Sequence, residues 1–309
     1  MNTTLSYPCI GEFQQFVQLK DYRLCTQRRY VGYLCQLAVH FQCDPTLLRE
    51  DQLREYFVYL RQHRHYGGSA MTLARAALRG FYFDWLARHD WRVFDQLQIR
   101  REEPLPFVLS REEVARLLAS VRAWRFRTCL RLIYHCGLRV SEAVRLEVTH
   151  IDGAGLRLRG CDGKGGKDRY VPLAPAALAE LRQWWKWHRH PRWLFPSPGS
   201  GGKTDPAARA AAMRAAEAPL SVAAVQLAFR LAREAAGLRV PSTVHTLRHS
   251  YATHLLEQGV SLRLISQYLG HKSLDTTAIY LHLTSVSEAQ TRAALEALYQ
   301  AVSPPPAAG

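Results

Sequence analysis

No apolar run in this chain comes near the ~18 residues that a membrane-crossing helix needs, so a bilayer-spanning protein is not expected. The opening residues, MNTTLSYPCIGEF, lack the basic region and apolar core of a secretory leader. The seven cysteines (Cys9, Cys25, Cys35, Cys43, Cys129, Cys136, Cys161) are odd in number and form no CxxC. Several fall in apolar helical stretches, where a thiol behaves as a small hydrophobe. Reduced thiols in a cytoplasmic protein are the expectation. There is no repeat of fixed period and no carboxylate cluster of the kind a metal-dependent nuclease requires. Two motif fragments are also incomplete. SPGSGGKT over 197–204 ends like a phosphate-binding loop, but Ser197 stands where the motif needs glycine and no apolar strand feeds it. His245 and His249 have the spacing of a zinc pair, but Thr246, Leu247 and Arg248 between them supply no glutamate. A guanidinium beside a metal ion is also unfavourable. Neither an ATP site nor a metal site is therefore expected.

What is present is basic charge. Lys and Arg total 41 against 26 Asp and Glu, a formal charge of +15. Residues 101–200 carry 18 basic and 10 acidic groups, so the excess lies in the body of the chain rather than in a tail. Such a surface favours a polyanion, because each phosphate it neutralises releases condensed counterions. With 309 residues, 48% of them hydrophobic and 22% charged, the chain suits a soluble globular protein with two cores.

Apolar residues recur at three- and four-residue intervals through residues 12–100, the mark of four or five amphipathic helices. Asp44-Pro45 and Gly67-Gly68 separate them, with Ser69 a candidate N-cap. RREEPLPFVL (100–109) holds two prolines and no period and suits an extended linker. Ser110 and Glu113 then form a capping box. Helices are expected over 110–120 and over 125–136, the second ending at Gly137. Alternating Leu156 and Leu158, a turn around GKGGK and Tyr170-Val171-Pro172-Leu173 predict a short antiparallel sheet. Helices follow, interrupted by a Gly-, Ser-, Pro- and Ala-rich stretch (196–218) expected to be an exposed loop or insertion. SPPPAAG at the end reads as a disordered tail. The fold class is mainly α with a small antiparallel β-sheet: an N-terminal helical bundle and a mixed α+β domain.

Chemistry concentrates in the second half. In HTLRHSYATH, His245 and Arg248 stand three apart and share a helix face. An imidazole for proton transfer beside a guanidinium for oxyanion contact suits phosphate chemistry. CGLRVSEAVRL puts Arg139 just past a helix end, with Ser141 and Glu142 opening the next. GCDGKGGKDRYVPL carries Lys164 and Lys167 on a hairpin tip. LGHKSLDTTAIYLHL sets His271 after a glycine and Tyr280 nine residues on.

In this order, Arg139, Lys164, His245, Arg248, His271 and Tyr280 resemble the active-site pattern of the tyrosine recombinase (phage integrase) family. The phrases GLRVSEAVRL, GKGGKDRYVPL, HTLRHSYATHLLEQG and LGHKSLDTTAIY are similar to Xer-like and mobile-element integrases. The resemblance spans roughly residues 108–290. It implies a core-binding domain over 1–100, a linker over 101–109, a catalytic domain over 110–290 and a C-terminal helix and tail over 291–309. It further implies a cytoplasmic recombinase for integration, excision or resolution, a C-shaped clamp on double-stranded DNA and a tetramer across two sites. The segment SEAQTRAALEALYQ would dock on a neighbouring protomer. By the same resemblance Tyr280 attacks the scissile phosphate to give a 3′-phosphotyrosine. Arg139 and Arg248 clamp the nonbridging oxygens, and His271 adds a hydrogen bond. Lys164, with Lys167 as runner-up, protonates the departing 5′-oxygen, and His245 helps deprotonate Tyr280. Two guanidiniums handle the charge and the ester retains the bond energy, so no cofactor, metal or ATP is implied. A type IB topoisomerase-like enzyme and a DNA-binding regulator with an idle site are the alternatives.

Overall fold

The computed structural model describes residues 7–99, 106–160, 169–199, 205–271 and 273–282, with residues 292 and 295–297. The hairpin tip with Lys164 and Lys167, the terminal tail and most of SEAQTRAALEALYQ lie outside the described residues. The chain divides into two compact units, Met1–Pro104 and Leu105–Gly309. No helix among the described residues is long and apolar enough to cross a membrane.

The first unit comprises α1 (Pro8–Leu19), α2 (Leu24–Phe41), α3 (Glu50–Gln62), α4 (Gly68–Arg79) and the short α5 (Val93–Gln96). Gly67, not Ser69, is the N-cap of α4. Met71, Ala74, Ala77 and Leu78 form the buried stripe of α4, at the spacing that keeps side chains on one helix face. The chain then widens into a π-helical turn (Gly80–Trp85) that buries Phe81 and Tyr82. Phe81 meets Phe13 edge to face at 5.2 Å, and Tyr82 stacks on Trp91 at 4.6 Å. The Tyr82 hydroxyl donates to the Pro45 carbonyl at 2.8 Å, so the phenol is buried with its polar atom satisfied.

In the second unit, Ser110 and Glu113 form their capping box and start α6 (Arg111–Ala119). Leu109 is already buried here, and its N–H donates to the Ser250 hydroxyl at 3.0 Å. The central helix α7 (Trp124–Cys136) buries Cys129, Leu130, Leu132, Ile133 and Cys136. The leucines and the isoleucine each contribute about 1.5–3 kcal/mol when fully buried. After Gly137 the chain forms α8 (Val140–Val144) and the antiparallel sheet of β1 (Ile151–Asp152), β2 (Arg157–Gly160) and β3 (Arg169–Pro172). Leu158 pairs with Val171, and both side chains point into the core. Leu156 differs from the expected alternation. It sits at φ +47° in the β1–β2 turn, and its carbonyl accepts from Leu173 N at 2.8 Å.

α9 (Pro175–His188) packs on α7. The following stretch, expected to be a loop, contains α10 (Pro206–Arg214), with only 200–204 of it outside the described residues. Asp205 caps α10 by accepting from Ala208 N at 2.8 Å, Pro206 takes the first turn, and the alanine run supplies helix propensity. Met213 is buried, and Pro196 bridges to Pro219, so both ends of the insertion are pinned. α11 (Val222–Ala235), α12 (Val244–Glu257), α13 (Leu262–Leu269) and α14 (Asp275–Ala278) follow, with a 3-10 turn at Ile279–His282. α12 is buried on several faces and packs on α7, which makes it the inner pillar of the unit.

α7 ends at Gly137, in the left-handed region at φ +57°, where a Cβ would stand 2.5 Å from the Tyr251 ring of α12. Gly237 has a similar φ of +67° with nothing within 4 Å of the same position. Gly237→Ala should therefore cost only the left-handed penalty of about 1–2 kcal/mol. Gly137→Ala adds a backbone-against-ring clash and should cost at least about 3 kcal/mol. Urea unfolding of the two variants measures the difference, and equal losses would show that α12 yields freely at this contact.

Candidate active site

The site is organised by one carboxylate. Glu142 is the third residue of α8, and its side chain is 2% exposed. It accepts the backbone N–H of Arg139, the N-cap residue, at 2.8 Å and the Arg139 guanidinium at 2.7 Å. From β3, Arg169 donates both of its terminal nitrogens to the same carboxylate, at 3.1 and 2.7 Å. Arg248 of α12 comes within 3.9 Å of it. Burial alone would raise the Glu142 pKa. The hydrogen bonds and charge of Arg169, with those of Arg139, outweigh it and hold the carboxyl below its usual range.

Arg248 is fixed by two helix ends. It donates to the carbonyl of Gly137, which caps α7, at 2.7 Å and to that of Leu269, the last residue of α13, at 2.6 Å. These are the carbonyls a helix leaves without internal partners, at the negative end of its dipole. Arg169 is held likewise, by Tyr268 O at 2.6 Å. Burial and the charge of Arg139 push Arg248 down to about 9, so it remains a cation at neutral pH. Three guanidiniums therefore share one carboxylate, and the cluster is short of negative charge. Arg139, 33% exposed, is the member that a ligand can reach from solvent.

The remaining groups gather around this cluster. Tyr280, in the 3-10 turn after α14, is buried at 1% exposure. Burial raises its phenol pKa, and Arg248 and Arg139 offset part of the rise. Its hydroxyl lies 3.0 Å from Nδ1 of His249, one residue beyond Arg248 on α12. His245, a turn earlier, packs edge-on to His249 at 4.6 Å between ring centres. His249 is pushed down to about 4 by burial, His245 and Arg248. Desolvation, then Arg248 and Arg139, lower His245 as well, but its ring is exposed and solvent screens most of that effect. Nδ1 of His271 lies 2.8 Å from the Thr277 hydroxyl; burial, Arg248 and Arg139 bring it to about 4.

The second unit thus brings Arg139, His245, Arg248, His271 and Tyr280 together, while Lys164 lies outside the described residues. Sequence reasoning missed Glu142, Arg169 and His249. Glu142 was visible only as a residue opening a helix, Arg169 only as part of the DRYVPL strand, and His249 only as half of an incomplete zinc pair. The arrangement can bind an oxyanion at Arg139 and Arg248 and present a phenol to it, with neutral imidazoles alongside.

Folding lowers the Glu142 pKa, so its contribution to stability is full above the ordinary glutamate value, about 4.3, and is lost as pH falls from there through its lower folded value. Glu142→Gln removes the charge that three arginines share and should cost about 3–5 kcal/mol near neutrality. In urea unfolding from pH ~6 to ~3, the gap between wild type and variant should shrink as Glu142 protonates. A gap that stays constant would mean that the carboxylate charge does not hold the cluster.

The comparisons with known proteins identify the family of the chain. The phage integrase family matches residues 108–286, and the phage integrase N-terminal SAM-like domain matches residues 10–92. A provisionally named integrase/recombinase of Sinorhizobium fredii is 36% identical over 302 residues, covering 97% of this chain and 92% of its own. Tyrosine recombinase XerD of Caulobacter vibrioides is 36% identical over 240 residues, 70% of this chain and 72% of its own. The fold is also that of a lambda integrase dimer bound to a COC′ core site, at a TM-score of 0.68 and 17% identity over 88% of this chain and 75% of that one. The chain belongs to the phage integrase family and is a tyrosine site-specific recombinase.

Proposed function

We propose that the protein breaks and rejoins double-stranded DNA at paired target sites through a 3′-phosphotyrosine formed on Tyr280. The observation that carries this reading is the buried phenol of Tyr280 beside a cluster of three guanidiniums and one carboxylate. A phosphodiester supplies the negative charge that the cluster lacks. Its nonbridging oxygens would be met by Arg139 from the solvent side and by Arg248 from the core, with a hydrogen bond from His271; His245, expected from the sequence to help deprotonate Tyr280, is exposed and would contact the phosphate instead. Donors fixed before the substrate arrives need no reorganisation as charge builds in the transition state. Lys164, with Lys167 as runner-up, would deliver the proton to the departing 5′-oxygen. The ester with Tyr280 conserves the energy of the broken bond for rejoining.

The first unit would add sequence-tolerant contacts to the DNA backbone through its basic helices. Lambda integrase has been solved as a tetramer on a Holliday junction. By analogy the protein would act as a tetramer across two sites, in the cytoplasm, on the DNA of a mobile element or replicon. Relaxation of supercoils without partner exchange is not favoured, since the matching relatives are recombinases and integrases.

The test uses nicked suicide duplexes covering the DNA that flanks the gene, without added metal or ATP. Wild type should give a detergent-resistant protein–DNA band, and Tyr280→Phe none. Arg139→Ala, at the half-exposed edge of the cluster, should lower the rate of band formation by about 10²–10³-fold while DNA affinity changes only a few fold. Retained adduct in Tyr280→Phe would remove that residue from its role. A collapse of affinity in Arg139→Ala would make it a binding rather than a transition-state residue.

A further inference from the structure

We infer that His249 is the residue that orients the Tyr280 phenol and takes its proton as the bond to phosphorus forms, an assignment that rests on the recombinase reading above. Among the described residues, His249 is the only side chain within hydrogen-bond distance of the Tyr280 hydroxyl, at 3.0 Å from Nδ1. A phenol at 1% exposure has no bulk water to take its proton, and His249 is the acceptor already in place beside it. His245 is one helical turn away, with its ring edge-on to His249 and open to solvent, where an incoming phosphate can reach it.

Helix geometry explains the division of labour. His245 and His249 are four residues apart and share a face of α12, while Arg248 adjoins His249 on the same turn. That turn therefore carries both a phosphate-clamping cation and a base for the nucleophile. The groups around His249 are His245 and Arg248 on its own helix, Tyr280 from the 3-10 turn, and His271, whose ionisation it influences. Its low pKa, about 4, keeps the ring neutral at physiological pH, so a lone pair is available. For Nδ1 to accept, the ring must carry its hydrogen on Nε2.

An oxygen lone pair of Tyr280 forms the Oη–P bond, and the phenol proton passes to Nδ1 of His249. The P–O5′ bond breaks, its electron pair leaves with the 5′-oxygen, and that oxygen takes a proton from the general acid assigned to Lys164. The imidazolium created at His249 is stabilised by the phosphate now beside it. In rejoining, the 5′-hydroxyl attacks and gives its proton back to that general acid, the bond from phosphorus to Oη breaks, and His249 returns its proton to the departing phenolate.

Two measurements test this. Nitrogen NMR of the DNA-free protein should show His249 as the Nε2–H tautomer, and an Nδ1–H tautomer would overturn the proposal. In the suicide-duplex assay His249→Ala should slow adduct formation about 100-fold. Replacing Tyr280 with difluorotyrosine, whose phenol ionises close to neutrality, should then bring His249→Ala to within about 3-fold of wild type carrying the same nucleophile. His245→Ala should keep its defect with that nucleophile, because a phosphate contact is not replaced by an acidic phenol. A His249→Ala defect that the acidic phenol does not relieve would mean that His249 only shapes the site. Wild type that forms no adduct, with the Nε2–H tautomer intact, would instead overturn the recombinase reading at this site and the proposal with it.

Discussion

The Glu142 carboxylate, shared among guanidiniums from three different elements, is the interaction on which the second unit depends. Burying a carboxylate or a guanidinium is costly unless each finds its partners. Here the α8 N-terminus, the start of β3 and the middle of α12 can approach one another only because Glu142 offsets part of their charge. The cluster is braced from outside by helix-terminal carbonyls, those of Gly137 and Leu269 on Arg248 and that of Tyr268 on Arg169. Removing any one of these elements would leave a buried charge without its partner.

The same arrangement explains why the site suits phosphate. One carboxylate among three cations is enough to fold the cluster and too little to saturate it. The acceptors that pin Arg248 are dipoles of the fold, which hold its orientation without cancelling its charge. An anion arriving at Arg139 therefore completes a structure already built around its absence of charge. Around it His249 and His271 are kept neutral by burial and by the arginines, so they can exchange hydrogen bonds without adding to the positive charge.

Much of this was legible in the sequence. The Ser110–Glu113 capping box, the apolar period of α7 and the glycine at 137 located the helices because these signals are local. HTLRHSYATH offered His245 and Arg248 as a candidate pair because residues three apart share a helix face, and both do stand on α12. What the sequence did not reveal depends on contacts between distant segments. Glu142 and Arg169 lie 27 residues apart and meet through the sheet. His249 meets Tyr280 across 31 residues, and only the fold decides which of the three histidines on α12 is the nearest. Composition misled over 196–218, where the signals for a loop sit beside an Asp-Pro start and an alanine run that form α10 and bury Met213. Leu156 likewise entered a tight turn, because β1 and β2 are too short to carry the alternation through.

The most direct measurement is to digest the covalent adduct with trypsin and nuclease and to find, by mass spectrometry, which peptide carries the nucleotide. Cleavage after Lys272 and Arg292 releases SLDTTAIYLHLTSVSEAQTR, in which Tyr280 is the only tyrosine. The account predicts that this peptide alone is modified, through a phosphodiester on Tyr280 to the 3′ end of the broken strand. Modification of a different peptide, or linkage to a 5′ end, would contradict it.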